Sequence, residues 1–131
     1  MYHFLFFLLG SLLTISIAQA QSAELRIKNT SDRMLTVKVM NSNNGRLFKK
    51  FIVYPRASYT EYFATTGSFF LKTKAEYPGR EPVYEKGNPF RVYVGTDGYS
   101  VLTITYAIQE SNVANPLEGK SISRQEFERD N

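Results

Sequence analysis

The 131-residue sequence contains no cysteine and no tryptophan, and its one histidine is His3. Each absence removes a class of chemistry. Without cysteine there is no disulfide, no thiol nucleophile, no acyl-anchored lipoprotein and no thiolate metal ligand. With histidine confined to the amino terminus, the rest of the chain lacks the base of Ser-His-Asp and Cys-His catalysis. It also lacks the usual nitrogen ligand for zinc or copper. Carboxylates remain in Glu61, Glu76, Glu81, Glu85 and Asp97, yet no spacing among them singles out the facing pair that glycoside hydrolysis needs. Calcium loops of the EF-hand type alternate Asp or Asn and close on a distal Glu, and neither Asn41–Asn44 nor Thr96-Asp97-Gly98 does so. The expectation is a protein that is not an enzyme, with no metal site, no cofactor and no catalytic residue.

Charge is also missing where its absence is informative. Residues 1–20 contain no Lys, Arg, Asp or Glu, and Phe4 to Ile17 is almost wholly apolar. The run closes with Ala18-Gln19-Ala20, the small-x-small pattern a signal peptidase reads, which places cleavage between Ala20 and Gln21. An apolar run of about 14 residues falls short of the roughly 20 that span a bilayer. A cleaved leader (1–20) is therefore preferred to a retained anchor, with no membrane span after cleavage and a secreted or periplasmic address. The remaining chain, roughly 110 residues, is enough for one hydrophobic core. Its net charge of +4 is too dilute for the basic stripe of a nucleic-acid binder.

What is present is period-two alternation broken by turn residues, from Glu24 to about Ile108. Leu25 and Ile27 mark a first strand that ends in Asn29-Thr30-Ser31-Asp32, a cluster that bonds its own backbone in turns. Leu35, Val37 and Val39 follow, then Asn44-Gly45, a strong hairpin signal. A type I′ turn there pairs Asn43 with Arg46, Val37 with Ile52 and Leu35 with Tyr54. Further strands are expected at Tyr59–Ala64 and around Phe69, Leu71 and Thr73, with Tyr77-Pro78-Gly79-Arg80 as a type II turn. A final hairpin through a three-residue loop, Thr96-Asp97-Gly98, pairs Val92 with Leu102 and Phe90 with Ile104. About seven such strands over 21–110 predict a single antiparallel β-sandwich, immunoglobulin-like or transthyretin-like in architecture.

The segment 111–131 changes character. Asn112 to Gly119 reads as a polar linker, and Ser123-Arg124-Gln125-Glu126 matches a capping box. A short helix at 123–129 is marginal by itself and competes with a frayed tail.

Two surfaces stand out as candidate binding sites. In the register above, Lys38, Met40, Phe51 and Val53 share the outer face of the second and third strands, with Arg46, Lys49 and Lys50 close by. Cations interleaved with aromatic surface suit an acidic glycan or an acidic protein. The same lysines also serve as gatekeepers against edge-to-edge aggregation, and a bulge would instead turn Phe51 and Val53 into the core. The second surface gathers Lys72, Lys74, Arg91, Tyr93, Thr103 and Thr105 on one polar face. Asn29-Thr30-Ser31 matches an N-glycosylation acceptor but is read as a chance match, since bacterial export is the expected route. The functional expectation is an exported, non-enzymatic binding or accessory module that contacts another exported or envelope protein. The alternative is a domain that binds acidic polysaccharide or the envelope surface through a basic sheet face.

Overall fold

The computed structural model describes residues 21–107 and 119–131. The expected leader with Ala18 and Ala20, and the expected linker up to residue 118, lie outside the described residues; Gln21 is exposed at the start of the fold. Among the described residues strand accounts for 57% and helix for 5%, which fits the all-β class.

The strands are β1 (Ala23–Asn29), β2 (Met34–Asn41), β3 (Leu47–Val53), β4 (Ser58–Phe63), β5 (Gly67–Glu76), β6 (Val83–Lys86), β7 (Phe90–Val92), β8 (Val94–Gly95), β9 (Gly98–Tyr99), β10 (Val101–Tyr106) and β11 (Lys120–Ser121). The helix is α1 (Arg124–Glu128). A six-stranded sheet runs β11-β6-β5-β2-β3, with β7 also paired to β5. A three-stranded sheet runs β10-β1-β4, and β8 and β9 form a separate ribbon.

The core lies between the inner faces of the two larger sheets. Ala23, Leu25 and Ile27 of β1 meet Leu35, Val37 and Val39 of β2, Phe51 and Val53 of β3, and Phe69, Leu71 and Ala75 of β5. Alternation along each strand produces this arrangement, because successive side chains leave a pleated strand on opposite faces. Polar side chains inside are bonded with one exception among the described residues, Thr73 Oγ1. Asn29, 1% exposed, donates from Nδ2 to the carbonyls of Arg33 (2.8 Å), Val53 (3.2 Å) and Tyr54 (3.2 Å). Its Oδ1 accepts from the Ser31 amide (3.0 Å) and hydroxyl (2.6 Å), so one amide closes the β1–β2 turn and ties it to the end of β3. A glycan on Nδ2 would replace one of its two hydrogens and would have to leave a side chain that is 1% exposed.

Three expectations are corrected by the backbone. The sheet is not wholly antiparallel: β1 pairs with β10 in parallel, from Glu24–Val101 to Asn29–Tyr106. The β2–β3 register is one residue away from that expected, with Leu35 opposite Val53, Val37 opposite Phe51 and Lys38 opposite Lys50, and it shifts at Val39/Met40. Two departures combine, a longer turn and a bulge. Of Asn44 and Gly45 only Gly45 has positive φ (72°), whereas a type I′ turn needs it at both positions. The Asn41 amide instead bonds Arg46 O (2.8 Å) and the Gly45 amide bonds Asn41 O (2.8 Å), giving a longer loop. That loop alone moves the pairing by two residues, and the bulge, with Phe48 unpaired between Lys49 and Leu47, takes one back, so Phe51 and Val53 face the core as the bulge alternative required. The third correction concerns the last hairpin. Only β8 and β9 pair locally, Val94 with Tyr99 and Gly95 with Gly98 around Thr96-Asp97. Its flanking strands separate, β7 to β5 and β10 to β1, because Phe90–Phe69 and Leu102–Leu25 pairings bury more apolar surface than a free ribbon would. The turn at Tyr77 is as expected, with the Arg80 amide on Tyr77 O (3.1 Å) and Gly79 at φ 80°.

Candidate binding surfaces

The register assembles a feature that no local pattern announces. On the outer face of the six-stranded sheet, Lys50 of β3 lies opposite Lys38 of β2, Lys38 opposite Lys72 of β5, Lys72 opposite Lys86 of β6, and Lys86 opposite Lys120 of β11. Five lysines thus form one row across the sheet, at strand spacings of about 4.8 Å. Like charges directly opposite one another destabilise a sheet. Something must offset the repulsion, and at the centre of the row it is the chain's own C-terminal segment.

Residues 119–131 cross this face. β11 extends the sheet beyond β6, and the Ile122 amide bonds Tyr84 O (3.1 Å). Gly119 permits the approach, since a Cβ there would sit 2.9 Å from Lys86 O. Ser123 caps α1, accepting from the Glu126 amide (3.1 Å). Phe127, 3% exposed, packs its ring against Tyr84 (5.5 Å between centroids) and under the Lys38 ammonium (4.8 Å). Beyond the helix, Asp130 O accepts from the Leu47 amide at the start of β3 (2.9 Å).

The two central lysines are sealed beneath it. Lys38, 3% exposed, donates to Phe127 O (2.9 Å), Glu128 O (3.5 Å) and Asp130 Oδ1 (2.6 Å). Lys72, 5% exposed, donates to Glu126 O (2.7 Å) and Arg129 O (2.8 Å). The last carbonyls of a helix have no internal partner and carry its negative dipole end, so the ammoniums satisfy groups that a five-residue helix could not leave bare. Burial pushes the Lys72 pKa below its usual value; Glu126 opposes that shift, and Lys38, Arg129 and Lys86 add to it. The outer lysines are exposed: Lys50 and Lys120 reach solvent, and Lys86 lies over the Phe70 ring (5.0 Å).

The sequence-nominated residues therefore divide. Lys38, Lys50, Lys72 and Lys74 share the outer face, Lys74 paired to Glu76 (3.5 Å), while Arg46 and Lys49 are exposed near the β2–β3 loop. Phe51, 8% exposed, is in the core, stacked on Tyr59 (4.2 Å). Arg91 is exposed on β7, and Tyr93 donates its hydroxyl to Asp97 (2.8 Å), a bond that raises the phenol's pKa. Thr103 and Thr105 do not join Lys72 and Lys74. They lie in register with Arg26 and Lys28 on the three-stranded sheet's outer face, because β10 pairs with β1 and not with β7.

A second surface lies where two sheet edges meet. β3 ends the six-stranded sheet and β4 ends the three-stranded one. Their aromatic rings hold the edges together, Phe51 on Tyr59 and Phe48 on Phe63 (5.5 Å). Phe48 (42%) and Ile52 (41%) on β3, Tyr54 (62%) just past its end and Tyr62 (57%) on β4 remain exposed. Elsewhere, a cleft of about 340 Å³ lies between Met34, Glu76, Tyr77, Pro78, Arg80 and Pro82, mostly apolar, with the Arg80 guanidinium over the Tyr77 ring (5.1 Å). Among the described residues no group of His, Cys, Asp or Glu is arranged to hold a metal, and no helix is long and apolar enough to cross a membrane.

Comparison with protein-family models, with curated proteins and with solved structures finds no match to this chain.

Proposed function

We propose that this chain is an exported, non-enzymatic binding module in the periplasm or outside the cell. In this reading it takes an extended segment of another exported protein onto the open edge of β3. The observation that carries the reading is that edge itself. It exposes Phe48, Ile52 and Tyr54, and Tyr62 from the neighbouring β4 adds to the apolar surface. The Leu47 amide at its start already donates to a backbone carbonyl of a distant segment, Asp130 O, as in a ladder bond. Strand addition uses that same pairing for affinity and alternate side chains for specificity. The architecture behind it is a sandwich of the immunoglobulin-like or transthyretin-like kind, with Lys49 and Lys50 keeping the edge from pairing with its own copies. Export rests on the Ala18-Gln19-Ala20 pattern. The acidic-glycan alternative is less well served, because Lys38 and Lys72 are closed under residues 119–131.

The test is affinity capture from envelope and medium fractions with the wild-type chain and with Ile52→Asp/Tyr54→Asp, followed by hydrogen exchange on the retained complex. A discrete protein retained at high salt, lost in the double variant and protecting β3 amides supports the proposal. Retention unchanged by the double variant, or protection confined to another surface, refutes it.

A further inference from the structure

The lysine row is more basic than the segment that covers it. Residues 119–131 carry three cations, Lys120, Arg124 and Arg129, against three carboxylates, Glu126, Glu128 and Asp130. Two of those carboxylates are turned to the segment's own arginines, Glu128 to Arg124 (3.8 Å) and Glu126 to Arg129 (3.8 Å). Only Asp130 forms an ion pair with the row, at Lys38. Lys72 is hydrogen-bonded by carbonyls, with the Glu126 carboxylate acting on it only through its field, and among the described residues Lys50 and Lys86 form no ion pair with this segment. Residues 119–131 thus bring no net side-chain charge to a row holding four lysines from β2, β3, β5 and β6.

We propose that this face is a receptor for an acidic segment of a partner polypeptide, and that residues 119–131 are its displaceable internal occupant. The required chemistry can be read from the present occupant. An aromatic residue fills the place of Phe127 between Tyr84 and Lys38, and a carboxylate three positions later meets Lys38, as Asp130 does. Carboxylates in the places of Arg124 and Arg129 complement the remaining row, where this chain's own residues are cationic. The site is separate from the β3 edge reading, and either stands without the other.

The probe is a labelled synthetic peptide of residues 119–131 carrying Arg124→Glu and Arg129→Glu, compared with the unsubstituted peptide by fluorescence anisotropy. The receptors are the full exported chain and its Phe127→Ala/Asp130→Asn variant, in which the internal occupant has lost its anchor and its ion pair. The acidic probe is expected to bind the variant about tenfold more tightly than it binds the unmodified chain. It is also expected to bind about tenfold more tightly than the unsubstituted peptide and to weaken as salt rises from about 50 to about 500 mM. Lys50→Glu and Lys86→Glu, at solvent-facing positions that leave the core untouched, are expected to weaken it about tenfold more. Any of three results overturns the proposal: equal affinity for the two peptides, indifference to Lys50→Glu and Lys86→Glu, or no binding to a variant whose 119–131 amides exchange freely. Concentration-dependent dimerisation of the variant that excludes the acidic probe would also overturn it, naming a second copy's tail as the occupant. Equal displacement by a polyanionic glycan lacking any aromatic group would do the same.

Discussion

Replacing Asn29 by Asp changes one buried NH2 to an oxygen and nothing else in shape. The Nδ2 it replaces is shared among three carbonyls, those of Arg33, Val53 and Tyr54, at 2.8–3.2 Å. An amide nitrogen has two hydrogens, so two bonds are lost and an acceptor is set against acceptors. Each buried group left unsatisfied costs about 1–3 kcal/mol, and the desolvated carboxylate adds to that. The accepting side, toward the Ser31 amide and hydroxyl, is retained and moderates the loss. The expected destabilisation is about 4 kcal/mol, a large share of the roughly 5–15 kcal/mol that holds a domain folded. In urea, with a slope of about 1.5 kcal/mol per molar, the midpoint should fall by about 2.5 M. Tyrosine emission and far-ultraviolet circular dichroism report the transition in a chain without tryptophan. A sign follows for pH. The new carboxyl is raised above its unfolded value, so the variant is closest to wild type in acid and loses ground as pH rises beyond about 4. A shift below about 1 kcal/mol, or one independent of pH, would refute the claim that this amide ties the β1–β2 turn to β3.

Two further predictions concern the alkaline limb and the first hairpin. Burial, and then the Glu85 carboxylate that accepts from its hydroxyl (3.3 Å), push the Tyr106 phenol well above its usual 10.0. A raised folded pKa contributes stability in full below pH 10 that is lost as pH climbs past it, so Tyr106→Phe should flatten the denaturation midpoint's decline above pH 10. Lys72, with a lowered pKa, acts in the opposite sense just below 10.5 and belongs in the same titration. Gly45 sits at φ 72°, so Gly45→Ala should cost about 1 kcal/mol by urea melt, while Asn44→Ala, which removes one exposed bond to the Arg46 amide, should cost less than half of that.

Much of the strand content was legible because alternation is local. Leu25 and Ile27, Leu35, Val37 and Val39, and Phe69 and Leu71 face inward as the period-two pattern requires. The Tyr77–Arg80 turn and the Ser123 cap were legible for the same reason, each depending on residues within a few positions. The first hairpin's register was not, because it hung on the conformation of the turn and on a bulge that no pattern marks. With Asn44 at negative φ the loop lengthens by two residues, which alone would leave Phe51 outside, and the extra residue at the Val39/Met40 irregularity supplies the odd step that moves it to the core. Pairing partners were beyond reach as well. Val101–Tyr106 alternates equally well beside β7 or beside β1, and only the shared core selects the parallel partner.

By itself, the sequence determined an all-β chain, the inward faces of β1, β2 and β5, and the absence of histidine and cysteine chemistry beyond the amino terminus. The lysine row and its burial were decided by tertiary structure alone. Lys50, Lys38, Lys72, Lys86 and Lys120 come from five strands, and their alignment is the product of four separate registers. A lysine in an alternating strand reads as solvent-facing, since an ammonium leaves water only when acceptors replace it. For Lys38 those acceptors stand 89 to 92 positions away in the chain, and folding has to bring them there.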